Sequence, residues 1–213
     1  MARTSAVVVA GGRGDRFGAP KQFSTAGGER LVDHAVAAAA AVCNEVVLVL
    51  PADASWDGCP VQAVVAGGAT RSESVRSGLA AVAPDSDIVV VHDAARPLAT
   101  PELFELVIDA VRAGADAAVP ALAVADTLKR VDGERVVETV SRDGMVAVQT
   151  PQAFRASVLR DAHARGSEAT DDAALVEAAG GTVVVVAGDP RNLKVTTVAD
   201  LVLASVLLEG QSR

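Results

Sequence analysis

The sequence predicts an α/β fold: a mostly parallel sheet flanked by helices, with an inserted antiparallel β-arm. Three observations carry that reading. Valine-rich, strand-like runs alternate with alanine-rich helical stretches along most of the chain. The run Ile88-Val89-Val90-Val91 is continuously apolar, as a strand covered on both faces has to be. Between residues 126 and 149 the rhythm gives way to short, partly polar strands around Asp132-Gly133, a tight-turn signal.

Composition sets the limits. A chain of 213 residues is long enough for one well-buried domain, and 1–213 reads as one, since neither a linker nor a fixed-period repeat divides it. Apolar residues make up 50% but aromatics only 2%, so the core has to be built from Val, Ala and Leu. A net charge of -8 opposes a nucleic-acid surface, and any polyanionic ligand must then meet a local basic pocket. Cys43 and Cys59 have neither metal-ligand spacing nor the look of a disulfide framework. The start carries one charge ahead of a very short apolar run that leads into glycines rather than a cleavage site. The other apolar runs are too short to span a bilayer, so a soluble cytoplasmic protein without a membrane partner is expected.

The elements follow in order. Residues 5–10 form the first strand and empty into Gly11-Gly12-Arg13-Gly14-Asp15-Arg16-Phe17-Gly18-Ala19-Pro20-Lys21. Residues 31–42 read as a helix, 46–50 as a strand stopped by Pro51, 53–59 as an irregular crossover or short helix, and 61–65 as a strand ending in Gly67-Gly68. The next helix opens at 69–75 with Val75, Leu79 and Val82 on one face, so strand, glycine turn and helix occur twice. Strand 88–91 delivers His92-Asp93-Ala94-Ala95-Arg96-Pro97 to its carboxyl end, where ligands sit in open α/β sheets. Thr100 caps a helix that Pro101 begins and that ends near Arg112, and 115–122 is a strand. Residues 127–131 and 135–140 flank Asp132-Gly133, and Asp143-Gly144 precedes 145–148. Together these make the arm, too small to bury much alone and so expected to lean on its own domain or on a second subunit. After Pro151 the expectation is a helix over 154–164, then one started by Thr170-Asp171-Asp172, with the hydroxyl capping. A strand at 182–186, a polar loop at 188–196 and a terminal helix from 197 or 198 complete the chain.

The chemistry gathers in the loops. Within residues 11–18 four glycines free the backbone, and Arg13, Arg16 and Lys21 add three cations, a pairing suited to a polyphosphate. A dinucleotide fingerprint would need glycine where Phe17 stands, and a P-loop would need Gly-Lys-Ser/Thr where Lys21 lies between Pro20 and Gln22. By pattern alone the loop is either a phosphate cradle or a surface turn whose cations face water. Arg16, Lys21, Asp93, Arg96 and Lys194 lie in loops that a parallel sheet would bring to one edge. There the cations would hold phosphate oxygens and Asp93 would be the candidate Mg²⁺ ligand. The plainer alternatives are Asp93 capping its loop, Arg96 pairing with it, and Lys194 solvated. His92 reads as packed, with one internal hydrogen bond, and His34 and His163 lack a second ligand at metal spacing.

Taken in order, Ala10-Gly11-Gly12-Arg13-Gly14-Asp15-Arg16-Phe17-Gly18, Pro20-Lys21-Gln22-Phe23, Gly67-Gly68 with Arg71 and Ser74-Val75, His92-Asp93-Ala94-Ala95-Arg96-Pro97, Asp126-Thr127, Thr150-Pro151-Gln152 and Asn192-Leu193-Lys194-Val195-Thr196 form one set. That set resembles the 2-C-methyl-D-erythritol 4-phosphate cytidylyltransferase family of the non-mevalonate isoprenoid pathway, over almost the whole chain. The glycine loop alone is shared broadly among nucleotidyltransferases; the ordered set is specific.

The resemblance implies a Rossmann-like sheet of nucleotidyltransferase type and transfer of CMP from CTP to methylerythritol phosphate, with Mg²⁺. An acceptor phosphate oxygen would attack the α-phosphorus in line with departing pyrophosphate, without a protein nucleophile. It implies catalytic roles for Arg16, Lys21 and Lys194, and nucleotide contacts from Ala10, Gly11, Gly12, Gly14, Gly67, Gly68, Ser74 and Asp93. Acceptor contacts would come from Asp93, Arg96, Thr127, Arg142 and Lys194, with the 126–149 arm reaching across a homodimer so that Thr127 and Arg142 serve the neighbouring site. Without the resemblance, Arg142 reads as a solvated residue before a turn. One departure is Ala69, where the family often carries an acidic residue after the paired glycines, leaving more of base recognition to the backbone. Two other readings stay open: a different polyol-phosphate cytidylyltransferase, such as one acting on ribitol 5-phosphate, and a non-catalytic nucleotide-binding module. Arg16, Lys21 and Lys194 together argue against the second.

Overall fold

The computed structural model describes residues 2–12, 17–18 and 20–211. Gly14 and Arg16, two of the expected site residues, lie outside the described residues. The chain opens with β1 (Thr4–Val9), followed by a 3-10 turn at Lys21–Phe23 and a minimal hairpin of β2 (Thr25–Ala26) and β3 (Glu29–Arg30). Then come α1 (Leu31–Ala40), β4 (Glu45–Leu50), β5 (Ala63–Ala66), α2 (Arg71–Ala81), β6 (Ile88–Asp93), α3 (Pro101–Arg112) and β7 (Ala117–Ala123). The second half contains β8 (Leu128–Asp132), β9 (Arg135–Val140), β10 (Val146–Val148), β11 (Gln152–Arg155), α4 (Ala156–Ala164), α5 (Asp172–Ala178), β12 (Val183–Ala187) and α6 (Val198–Gln211).

One eight-stranded sheet organises these elements. β5, β4, β1 and β6 lie side by side and parallel, and β12 runs parallel to β7. β11 is antiparallel to both β6 and β7, and β10 precedes it along the same side of β7. Alternation along β1 splits the core into two layers. Ala6 and Val8 face a cluster with Val32, Val36, Phe104 and Ile108 of α1 and α3, while Val7 faces one with Val75 and Leu79 of α2 and Leu159 of α4. α2 presses unusually close, because Gly78 offers no side chain: a Cβ there would come within 2.4 Å of Val7 Cγ1. A third cluster seats α6, through Ala204 and Leu208, on Leu31, Leu98 and Val195.

The helix starts are chemically marked. Thr70 accepts from the Glu73 N–H, and the Glu73 carboxylate accepts from Thr70 N–H, a reciprocal capping box at the head of α2. Thr100 occupies the capping position of α3 without a capping side-chain bond, and Pro101 fills the first turn.

Three expectations need correction. Residues 154–155 are strand rather than helix, because Phe154 is wholly buried between β6 and β7 and its backbone pairs with both. Residues 146–148 pair with Ala121–Ala123 of β7, so they belong to the main sheet, and the projecting part is the hairpin β8–β9, a separate two-stranded sheet. The cap of α5 is Asp171, whose carboxylate accepts from Ala174 N–H, rather than Thr170. Among the described residues no helix is long and apolar enough to cross a membrane.

Candidate active site

Strand order reverses beside β1: the chain moves from β1 outward to β4 and β5, then returns to place β6 on the other flank, with Val9 opposite Asp93. Such a reversal leaves a crevice beyond the carboxyl ends of the strands. Here it is a cleft of about 530 Å³, lined by residues that include Ala10, Gly11, Gly12, Lys21, Gly68, Ser74, Asp93 and Lys194.

Its floor is backbone. A Cβ on Gly67 would sit 2.9 Å from Ser74 Oγ, so this turn lies tight against the head of α2 because it carries no side chain there, while Gly11 borders it at ordinary contact distance. Gly67 stands behind Gly68, supporting the wall rather than lining it. The Ser74 hydroxyl accepts from Gly68 N–H at 3.2 Å and donates to Thr70 O at 2.9 Å, holding the turn open at the head of α2. Glu73 takes the Ala69 N–H at 2.6 Å, so the carboxylate at this loop comes from within the helix rather than from position 69. Gln22 donates to Gly12 O at 3.0 Å and fixes the start of the first glycine turn.

The cations enter from separate elements. Lys21, at the 3-10 turn, donates through Nζ to Val195 O at 2.7 Å; the adjacent Lys194 places its Nζ 2.6 Å from Asp93 Oδ2. Loops 174 positions apart in sequence therefore share one side of the cleft. Arg71 closes the opposite side of Asp93, with Nε 3.1 Å from Oδ1, and its Nη1 lies 2.8 Å from Asp172 Oδ2. Asp172 is in turn 2.9 Å from His163 Nε2. Burial alone would raise the Asp93 carboxyl, but the charges of Arg71 and Lys194 outweigh it and hold its pKa well below the usual carboxylate range. Burial likewise works against the Arg71 guanidinium and is outweighed by Asp93 and Asp172, which raise it.

His92 behaves as the sequence suggested, with one more bond. It is fully buried against Phe104, and burial pushes its imidazole down to about 4. Nε2 lies 3.2 Å from Arg96 O, which can only accept, so that nitrogen carries the proton. Nδ1 then accepts from the Thr150 hydroxyl at 3.1 Å, while Thr150 Oγ1 accepts from Asp93 N–H at 3.0 Å. A neutral histidine thus anchors the backbone of Asp93 through Thr150.

The remaining expected residues stand apart from the cleft wall. Arg96 turns to the neighbouring loop, donating through Nη1 to Asn192 O at 2.8 Å. Thr127 is exposed at the root of the hairpin, and Arg142, also exposed, donates to Ala125 O. Arg71 is what sequence reasoning left without a role. Its signal was its place, three residues after Gly68 in the first turn of a helix, where a side chain points back at the loop. Among the described residues no three metal-ligating groups cluster, and Asp93 is the one carboxylate lining the cleft. A second cleft, between α2 and α4, carries Arg76 and Arg160, but Arg76 is bonded to Glu168 and Arg160 to backbone oxygens of 83 and 84.

Comparison with known proteins names this arrangement. A family model described as 2-C-methyl-D-erythritol 4-phosphate cytidylyltransferase matches residues 4–210. The chain is 47% identical to the 2-C-methyl-D-erythritol 4-phosphate cytidylyltransferase of Nocardia farcinica, across 97% of this chain and 94% of that one. It is 46% identical to the protein of the same name from Streptomyces coelicolor, across 97% and 85%. The crystal structure of the Thermus thermophilus protein of that name superimposes with a TM-score of 0.83 at 38% identity, covering 94% of this chain and 96% of the other. The chain belongs to the 2-C-methyl-D-erythritol 4-phosphate cytidylyltransferase family.

Proposed function

We propose that this cleft transfers CMP from CTP to 2-C-methyl-D-erythritol 4-phosphate, with Lys21 and Lys194, joined by Arg16, holding the reacting phosphates. The observation that supports it is the meeting of Lys21, Lys194 and the backbone of Gly11, Gly12 and Gly68 on one cleft at the reversal of strand order. An acceptor phosphate oxygen forms the new bond to the α-phosphorus as the bond to the β-phosphate oxygen breaks, and pyrophosphate leaves. A phosphomonoester is largely dianionic at neutral pH, so no base is needed to prepare it. What the protein must supply is position and positive charge where negative charge accumulates, and the two lysines meet that need. Cytosine lies against Gly68 and Ser74, with Gly67 behind them, where backbone carbonyls can accept from its amino group.

Mg²⁺ fits this site only as a partner of the triphosphate. Asp93 offers one carboxylate whose two oxygens already face Arg71 and Lys194, so phosphate oxygens would supply most of the ligands, as this ion prefers. Bound there, it would neutralise triphosphate charge. Residues 1–213 act as one domain, and its projecting β8–β9 hairpin pairs with a second copy and brings Thr127 and Arg142, which flank the hairpin, to that copy's acceptor phosphate. Arg142 suits the role because a planar guanidinium makes two bonds to phosphate at once.

A pyrophosphate-release assay tests the reading by crossing CTP, ATP, GTP and UTP with methylerythritol phosphate and ribitol 5-phosphate. Activity is expected chiefly with CTP and methylerythritol phosphate, and Lys21→Ala and Lys194→Ala are each expected to lower turnover by ~100-fold or more. Full turnover in either variant would remove that lysine from the reaction; CTP binding without turnover in the native protein would make the chain a binding module.

A further inference from the structure

The loop that carries Lys194 is held by a buried amide knot that takes no part in the chemistry described above. Gln149, 5% exposed, treats Asp189 as a strand partner: its Nε2 donates to Asp189 O at 2.9 Å and its Oε1 accepts from Asp189 N–H at 3.2 Å. The same amide reaches Asn192, donating to its carbonyl at 3.3 Å and accepting from its Nδ2 at 3.4 Å. Asn192, 0% exposed, also donates through Nδ2 to Thr150 O at 2.9 Å, and its carbonyl takes the Arg96 guanidinium. Gly188 makes the approach possible, since a Cβ there would lie 2.8 Å from Gln149 Oε1 and 2.9 Å from Ala121 O. Past Lys194 the loop is pinned again, by Val195 N–H to Ala95 O at 2.7 Å and by Lys21 to Val195 O.

Lys194 is thus suspended between two fixed points, and the first belongs to the residue immediately after β10. β10 is the strand that returns from the hairpin arm to the main sheet. We infer that Gln149 and Asn192 are positioning residues that fix the Lys194 ammonium for the reaction, and that through Gln149 the position of Lys194 is tied to the base of the arm. An amide suits this place because it carries both a donor and an acceptor: Gln149 satisfies the Asp189 N–H and shares the Asp189 C=O with the Asn192 N–H, which reaches that oxygen at 3.0 Å. Neither residue lines the cleft, so neither contributes to ligand contact directly. The inference rests on the role given to Lys194 above.

A double-mutant cycle on the full chain separates the two claims. Turnover, CTP KM and melting temperature are measured for Gln149→Ala, Lys194→Ala and the pair. If Gln149 acts through Lys194, Gln149→Ala lowers kcat by ~10- to 100-fold with CTP KM changing by less than ~3-fold, the scale on which misplacing a reacting group by about an ångström is felt. In the Lys194→Ala background the same change then costs less than ~2-fold. Equal losses in both backgrounds, or a loss confined to KM, overturn the inference. Wild-type turnover in Lys194→Ala alone marks instead the failure of the site reading. Should Gln149→Ala not fold, Gln149→Glu, which keeps the acceptor and loses the donor, and Asn192→Asp carry the same cycle, with an intermediate kcat loss expected and unchanged kcat overturning the inference.

Discussion

The ammonium of Lys194 and the carboxylate of Asp93 meet at 2.6 Å across the mouth of the cleft, although 101 positions separate them in sequence. Asp93 is 8% exposed and shared with Arg71, so it is a buried anion held between two cations. Asp93→Asn keeps the shape and removes the charge. Leaving Arg71 with one carboxylate instead of two is expected to cost ~1–3 kcal/mol of stability. Releasing Lys194 is expected to lower turnover by ~100-fold. Thermal unfolding and pyrophosphate release check the two effects separately, and a variant with native turnover would show that Lys194 needs no counterion to be placed.

How much of this was legible depends on whether the signal was local. The parallel strands declared themselves because burial on both faces forces unbroken apolar runs, and His92 was read as packed because a strand of that kind leads straight into it. The strand at 152–155 was hidden, since nothing in Gln152-Ala153-Phe154-Arg155 distinguishes a strand from a helix start. Pairing with β6 and β7 decides it, and that pairing is long-range. Arg71 was in view, but its role requires Asp93 and Asp172, 22 and 101 positions away. Arg96 was expected at the acceptor; what sequence could not show is its bond to Asn192 O at 2.8 Å, which depends on a loop 96 positions away.

Gly78 gives a test of the packing between α2 and the sheet. In a helix interior Gly→Ala ordinarily stabilises by ~0.5–1 kcal/mol. Here the new methyl would lie 2.4 Å from Val7 Cγ1 and 3.0 Å from Val49 Cγ2, both wholly buried side chains. Overpacking of that severity costs ~1–3 kcal/mol and so outweighs the gain. Denaturant unfolding of Gly78→Ala is expected to show net destabilisation, and a stabilised variant would mean that α2 can slide off β1 at little cost.

The β8–β9 hairpin is exposed along almost its whole length. Val131, Val136 and Val137 are 57%, 54% and 52% exposed, and Val136 and Val137, being successive, point to opposite faces. A two-stranded ribbon with apolar groups on both sides is marginal in isolation. A dimer at micromolar protein concentration is therefore expected by sedimentation, with Val137→Asp shifting it towards monomer. If the arm serves the acceptor site, that variant raises the KM for methylerythritol phosphate by ~10-fold or more while leaving that for CTP within ~2-fold. A Val137→Asp protein that stays dimeric would place the subunit contact elsewhere.

The burial of His92 makes stability depend on pH in a window set by that one side chain. Its ordinary pKa of 6.5 drops to about 4, chiefly through burial. Between those values the unfolded chain binds a proton that the native state refuses, so stability falls as pH falls, at about 1.4 kcal/mol per unit. Above 6.5 both states are neutral and the effect vanishes. Asp93 cannot mimic it: a depressed carboxylate adds stability above its unfolded value of 3.8 and loses it only below, outside this window. From pH 7 to pH 5 the His92 contribution amounts to ~2 kcal/mol. His92→Gln, which has no charge to refuse, should lose correspondingly less stability over that interval, whatever its stability at pH 7. Equal slopes in urea titrations of the two proteins would mean that the imidazole takes up its proton inside the fold, with Thr150 or the Arg96 carbonyl moving to accommodate it.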